Sequence, residues 1–168
     1  YYQYCTAFPV GVSLAQTWNV ELVERVGIAI SKEMCEYNIT YFLGPAINIH
    51  KNPLCGRNFE YYSEDPVLTG KIASSIVNGV QSIDGNYAVV KHFACNNQED
   101  NRTHSSSNVN ERALREIYLR AFEIVVKEAK VKSVMTSYNK VNDVYTPNSY
   151  DLCTNVLRHE WGFEGVVM

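Results

Sequence analysis

Short apolar, β-branched runs alternate with segments of helical periodicity along the 168 residues of this chain. The strand-like runs are residues 40–43 (extending towards 49), 87–93, 131–137 and 163–168, and residues 8–12 are interpreted as a short strand or a loop. Helices of about 10 to 20 residues are predicted between them. Because strands joined by helices form parallel sheets, the pattern predicts an α/β fold with about five strands and four helices.

The predicted helices carry recognisable end signals. Asn19 is predicted to cap the first long helix, and Ser63 to cap the second, with Pro66 in the first turn where proline is tolerated. Asn148 is predicted to cap the last helix and Gly162 to end it. The third helix has the clearest apolar stripe, which is formed by Leu114, Ile117, Tyr118, Ala121, Phe122 and Val125.

Composition argues against two classes of partner. The net charge is −3 and no basic cluster stands out, so neither nucleic acid nor a membrane surface is expected as a partner. No apolar run approaches the roughly 20 residues that span a bilayer. The first residues show neither the basic nor the apolar part of a secretory signal.

The cysteines and histidines do not indicate a metal site. The five cysteines lack CxxC spacing and are odd in number, so free thiols are expected, which favours a reducing compartment such as the cytoplasm. The histidines lack metal-ligand spacing, and there is neither a GxGxxG nor a Walker A motif. We therefore expect no metal and no cofactor, and we interpret Cys95 as a packing residue.

Residues 87–102 combine an apparent buried strand with a polar exit. Lys91 and His92 stand side by side near the end of the run, and Arg102 follows a largely polar segment. A cation and an imidazole at such a position indicate a binding site. The alternative is a strand that simply reaches the surface, with Lys91 as a solvated edge charge.

Other polar side chains follow the neighbouring strands. Arg57 and Glu60 lie in the long loop after strand 40–49, and Tyr138 and Asn139 follow strand 131–137. Because functional residues gather at the carboxyl ends of parallel strands, we expect these segments to share one face with residues 87–102. The donors can serve hydroxyl groups or anions, so a phosphorylated substrate stays open as an alternative.

Four segments resemble glycoside hydrolase family 3, and its β-glucosidases most closely. They are GPAINIHKNPLCGRNFEYYSEDP at 44–66, KHF at 91–93, NNQE at 96–99 and VMTSYNK at 134–140. The resemblance covers nearly the whole chain and these motifs are long. It implies that residues 1–168 are part of the family's N-terminal catalytic domain, an incomplete parallel (β/α) TIM-barrel-like fold. It also implies a retaining β-glycosidase, most closely a β-glucosidase acting on terminal glucosyl residues.

The resemblance also implies roles for single residues. In this family the matching positions bind the sugar nearest the cleaved bond, and here they are Arg57, Lys91, His92, Arg102 and Tyr138. The implied ligand is a β-glucoside or an oligosaccharide. Such a role agrees with physical expectation, because a neutral sugar needs its hydroxyls hydrogen-bonded from several sides and charged donors form the stronger bonds.

A retaining glycosidase needs two carboxyl groups about 5–5.5 Å apart. The family nucleophile is an aspartate expected just after Met168, and its acid/base residue lies far downstream. We do not expect Glu60, Asp65, Glu99 or Asp100 to replace them. The isolated chain is therefore expected to be inactive and to need the rest of a parent enzyme. The alternative is a non-catalytic, sugar-binding or structural remnant of the same fold.

The pair Lys91 and His92 also gives a backbone prediction. Neighbouring side chains on a regular strand point to opposite faces. If both side chains reach one sugar, the strand must be irregular there, through a bulge or a non-proline cis peptide.

Overall fold

The computed structural model describes residues 4–168, which form a four-stranded parallel sheet with helices packed against it. The elements in chain order are helices α1 (Gly11–Ala15) and α2 (Val20–Glu36), strand β1 (Tyr41–Phe42), helix α3 (Pro66–Val80), strands β2 (Tyr87–Phe93) and β3 (Ser106–Ser107), helices α4 (Glu111–Ala113) and α5 (Arg120–Ala129), and strands β4 (Ser133–Thr136), β5 (Lys140–Val141), β6 (Val144–Tyr145) and β7 (Val166–Val167). A π-helical turn spans Leu114–Tyr118, a 3-10 turn spans Thr146–Asn148, and a helix with π-type hydrogen bonds spans Asp151–Glu160.

The parallel sheet has the order β1-β2-β4-β7, and every neighbouring pair is parallel. The predicted α/β class and the strands near 40–43, 87–93, 131–137 and 163–168 are confirmed. Strands β3, β5 and β6 form a separate three-stranded sheet that was not predicted from the sequence. Their few residues carry too short a pattern to be recognised as strands.

Residues 8–12 are neither a strand nor a simple loop. Val10 has extended backbone angles and precedes α1, whose first residue is Gly11. A Cβ on Gly11 would lie 2.9 Å from the main-chain carbon of Glu60, so α1 rests directly on the loop that carries Glu60. Of the five strands expected, the described parallel sheet contains four.

Of the N-caps predicted for the two long helices, one is confirmed and the other is wrong. Asn19 caps α2 as predicted, and its Oδ1 accepts a first-turn backbone N–H at 2.9 Å. Helix α3 is capped by Asp65 and not by Ser63, since Asp65 Oδ1 accepts two backbone N–H groups at 2.7 and 2.9 Å. Pro66 explains the difference, because proline suits the first helical position and makes the residue before it the cap.

The cap predicted for the last helix is also wrong. Asn148 belongs to the 3-10 turn, and the hydroxyl of Ser149 accepts the backbone N–H of Leu152 at 3.2 Å. The helix Asp151–Glu160 nevertheless ends as predicted, because Gly162 takes a left-handed φ of 70°.

The third predicted helix is interrupted by the π-helical turn Leu114–Tyr118. A π turn holds an extra residue, so the apolar stripe before it falls out of phase with the stripe after it. Ile117, which the 3.6-residue period had placed inside, is 40% exposed, whereas Leu119 is buried. The continuous stripe was therefore a wrong prediction, although Ala121, Phe122 and Val125 are buried as expected.

Helix α3 packs against both α2 and α5. The contact with α2 is made through Gly27 and Gly79. A Cβ on Gly79 would lie 2.7 Å from the Gly27 Cα and from the backbone nitrogen of Ile28, so the two backbones nearly touch. No helix within the described residues 4–168 is long and apolar enough to cross a membrane.

We expect Gly79→Ala to lower the free energy of unfolding by about 1–3 kcal/mol, because the added methyl group must push the two helices apart. This loss would outweigh the roughly 1 kcal/mol by which alanine favours a helix over glycine. Chemical denaturation measures the difference, and Asn78→Ala at the exposed neighbouring position is the matched control. A Gly79→Ala variant as stable as the wild type would contradict the close approach.

Candidate functional site

The residues predicted to bind a ligand meet at the carboxyl-end edge of the parallel sheet. A groove of about 610 Å³ lies there, and its lining includes Arg57, His92, Arg102 and Tyr138. Lys91 lies beside this groove, with its Nζ 4.0 Å from the carboxylate of Glu60. All five predicted residues are therefore neighbours, while their individual roles stay predictions.

Glu60 joins two of the cationic residues. One oxygen of its carboxylate, Oε1, accepts a hydrogen bond from Arg57 Nε, and the other, Oε2, faces Lys91. Burial is the largest single influence on Arg57 and would lower its pKa, but the hydrogen bond to Glu60 and the nearby charges of Glu60, Tyr61 and Glu99 together outweigh it, and the pKa lies above its ordinary value. Burial also lowers the pKa of Lys91, with Arg57 adding to that effect and Glu60 opposing it.

His92 is buried and held through its main chain by Asn48. Asn48 Nδ2 donates to the carbonyl of His92 at 2.9 Å, and Asn48 Oδ1 accepts the His92 backbone N–H at 2.9 Å. The same oxygen lies 3.3 Å from His92 Nδ1, and because it can only accept, this contact assigns the ring proton to Nδ1. His92 Nε2 is then left as an acceptor.

The imidazole of His92 is neutral over the physiological range. Burial lowers its pKa to about 3, and the positive charges of Arg57, Lys91 and Arg102 add to the effect. A neutral imidazole offers one donor and one acceptor, which suits a hydroxyl group better than an anion.

The backbone between Lys91 and His92 is irregular, which confirms the prediction made from their sequence. The Lys91–His92 peptide is cis, as is the Phe93–Ala94 peptide. The pairing register of β2 with β4 also shifts between Lys91 and Phe93. Both Lys91 and His92 lie close enough to Arg57 for its positive charge to lower their pKa values.

Arg102 is oriented by a carboxylate and an aromatic ring. Its Nη1 donates to Glu99 Oε2 at 2.5 Å, and its guanidinium carbon lies 5.1 Å from the centroid of the Tyr138 ring. Glu99 therefore orients Arg102 through an ion pair. Asn96 Nδ2 donates to the second oxygen of Glu99 at 3.0 Å and to the hydroxyl of buried Tyr61 at 2.8 Å.

Sequence reasoning assigned no role to Asn48, Tyr61 or Asn96. Tyr61 packs edge-on against His92, with ring centroids 6.4 Å apart, and Asn96 links it to Glu99. The one available signal was Asn48, a polar residue inside the otherwise apolar run at 46–49. A buried amide in such a run needs a hydrogen-bond partner.

Cys95 is buried two residues after the end of β2, and burial raises the pKa of its thiol to about 12. A thiol with such a pKa is not a nucleophile at neutral pH. The geometry therefore agrees with a packing role. Within residues 4–168, no group of three or more histidine, cysteine, aspartate or glutamate side chains is placed to hold a metal ion.

Comparison with known proteins gives consistent matches. The family model of the Glycosyl hydrolase family 3 N terminal domain matches residues 2–168. Beta-glucosidase A of Butyrivibrio fibrisolvens is 54% identical over 163 residues, which cover 97% of this chain and 20% of that protein. The Exo-alpha-(1->6)-L-arabinopyranosidase of Bifidobacterium breve is 49% identical, with 97% and 21% covered. The chain thus spans about a fifth of the length of these relatives.

Solved structures resemble the described fold closely. Beta-glucosidase 3B from Thermotoga neapolitana, in complex with alpha-D-glucose, matches with a TM-score of 0.96 and 61% sequence identity. The match covers 98% of this chain and 23% of that one. The predicted fold class, a part of a parallel (β/α) barrel, is confirmed by this likeness.

The low pKa of His92 predicts a pH dependence of stability. Unfolding returns the imidazole to a pKa near 6.5, so between about pH 6.5 and 3 the unfolded chain binds a proton that the folded chain does not. This difference lowers the free energy of unfolding as the pH falls, by up to about 1.4 kcal/mol per pH unit. His92→Gln removes this contribution and should flatten the curve.

Denaturant titrations from pH 7 to pH 4 would measure this effect as the difference in slope between the wild type and His92→Gln. His159→Gln, at an exposed position on the last helix, is the control for losing a histidine. Identical slopes for wild type and His92→Gln would show that His92 is not held neutral.

Proposed function

This chain belongs to glycosyl hydrolase family 3, and we propose that it is part of a retaining, exo-acting β-glycosidase that removes terminal β-D-glucosyl residues. The observation that carries the proposal is that Arg57, Arg102, Tyr138 and the neutral imidazole of His92 line one groove, with Lys91 beside it. The similarity to proteins named beta-glucosidase supports the same substrate. In this proposal the chain supplies the residues that hold the sugar.

A neutral ligand fits the charge balance of the groove. Glu60 accompanies Arg57 and Lys91, and Glu99 accompanies Arg102, so each cation already has a carboxylate partner. A phosphate group would approach these carboxylates as well as the cations and would be repelled by them. A sugar hydroxyl meets no such repulsion and can accept from the remaining N–H groups.

Three carboxylates near the groove, those of Glu60, Asp65 and Glu99, are already occupied by hydrogen bonds or ion pairs within the protein. Glu60 and Glu99 each use both oxygens on neighbouring side chains, and Asp65 caps α3. We infer that the nucleophile and the acid/base residue come from outside these 168 residues. Met168 lines the groove at the end of β7, so a residue following it would enter the site.

The alternative function is a sugar-binding remnant without hydrolysis. The residues directly after Met168 in the full-length protein distinguish the two functions, since an aspartate there favours the hydrolase and its absence favours the remnant. The alternative would keep the groove and its donors while leaving glycosides intact.

The proposal is tested by assaying the full-length protein that contains this chain on aryl β-glucoside and aryl β-xyloside. We expect the glucoside to be hydrolysed with the higher kcat/KM and with retention of the anomeric configuration, as observed by NMR of the first product formed. Glucose binding without turnover of either glycoside would support the remnant. In a parallel calorimetric titration, tighter binding of inorganic phosphate than of glucose would contradict a sugar site.

A single substitution tests the role of Arg102. We expect Arg102→Met in the full-length protein to reduce kcat/KM on the aryl β-glucoside about 10- to 100-fold, because charged hydrogen bonds contribute about 1.5–3 kcal/mol. Arg112→Met is the matched control, since Arg112 forms an exposed ion pair with Glu116 away from the groove. Equal activity of the Arg102 and Arg112 variants would remove Arg102 from the binding set.

A further inference from the structure

Glu60 is the one carboxylate that contacts two of the proposed sugar-binding cations among the described residues. Oε1 accepts from Arg57 Nε, and Oε2 lies 4.0 Å from Lys91 Nζ. The side chain of Glu60 is 24% exposed and that of Lys91 is 15% exposed, so water screens these contacts only in part. The two cations come from separate segments of the chain, the loop after β1 and strand β2.

The main chain holds Glu60 firmly in this position. The turn from Arg57 closes with the Glu60 backbone N–H donating to the Arg57 carbonyl at 3.0 Å. Helix α1 rests on the carbonyl of Glu60 through Gly11, and the next residue, Tyr61, is buried. A carboxylate that extends from a restrained backbone and contacts a cation through each oxygen can fix the groups that it binds, so that less ordering remains to be done when a ligand arrives.

We propose that Glu60 is a positioning residue of the sugar site, whose carboxylate holds the Arg57 guanidinium and the Lys91 ammonium in place for the same ligand. The inference rests on the proposed function and extends it to a residue that does not itself bind the sugar. Glu60 is not a nucleophile in this arrangement, because each of its oxygens serves a cation.

Electrostatics give Glu60 a second effect, on the charge of Lys91. The charged and titratable groups around Lys91 are Glu60 and Arg57 on the loop and His92 beside it on β2, and His92 is neutral. Burial and Arg57 both favour an uncharged Lys91, and Glu60 opposes them. Without the carboxylate, Lys91 would lose its proton at a lower pH and would donate weaker hydrogen bonds.

Two substitutions at Glu60 separate charge from shape. Glu60→Gln keeps the size and the acceptor towards Arg57 but removes the charge, whereas Glu60→Asp keeps the charge on a shorter side chain. In the full-length protein we expect Glu60→Gln to lower kcat/KM on the aryl β-glucoside by on the order of 10²-fold, because misplaced binding groups have effects of that size. In the pH profile of kcat/KM, the decline on the alkaline side should occur at lower pH for Glu60→Gln than for the wild type. For Glu60→Asp it should occur at an intermediate pH.

Glu116→Gln is the matched control. Glu116 accepts from Arg112 Nε at 3.0 Å in an ion pair of the same kind on the protein surface. This variant should retain the wild-type kcat/KM and pH profile. If Glu60→Gln lowered only the melting temperature and left KM, kcat and the alkaline limb at wild-type values, Glu60 would be merely structural and the proposal would be wrong.

A measurement on Lys91 itself separates this inference from the proposed function. Competitive acetylation over a range of pH, followed by mass spectrometry of the peptide that contains Lys91, reports the pH at which its amine becomes reactive. We expect this pH to be lower in Glu60→Gln than in the wild type, and intermediate in Glu60→Asp. The same pH in all three proteins would overturn the inference, even where the glycosidase assay succeeds. Conversely, if the wild-type protein cleaves no glycoside, the proposed function is wrong. A lower pH of Lys91 reactivity in Glu60→Gln would still support the contact between Lys91 and Glu60.

Discussion

Two carboxylates make it feasible to gather positive charge in a partly buried groove. Arg57, Lys91 and Arg102 would repel one another there, and each would lose hydration. Glu60 and Glu99 offset that cost by pairing with them. These ion pairs also orient the N–H groups of the cations that remain free to donate to a ligand. The rest of the site therefore depends on them.

The donors of the site could be predicted because their signal is local. Lys91, His92 and Tyr138 follow apolar runs, and the carboxyl ends of parallel strands meet at one edge of a sheet. Their supports could not be predicted in the same way. Asn48 binds a main-chain group 44 residues further along the chain, and Asn96 binds a hydroxyl 35 residues before it. Composition and periodicity carry no information about such pairings.

The fold shows the same division between local and distant causes. Alternating strand and helix patterns were sufficient to predict the α/β class and the strands of the sheet, since apolar runs and helical stripes are properties of short segments. The errors arose where neighbouring signals compete. Pro66 moves the cap of α3 to Asp65, and the π turn before α5 exposes Ile117 by changing the phase of its stripe. Both errors arise from local backbone geometry, which the spacing of hydrophobic residues does not reveal.

The contact between Arg102 and Tyr138 leaves only one face of the tyrosine ring open for stacking. The guanidinium lies over one face of the ring, while the residue as a whole stays 62% exposed. A flat or apolar group that stacks on Tyr138 therefore has only the opposite face available. That asymmetry fixes the side from which a stacking group can approach the rim of the groove.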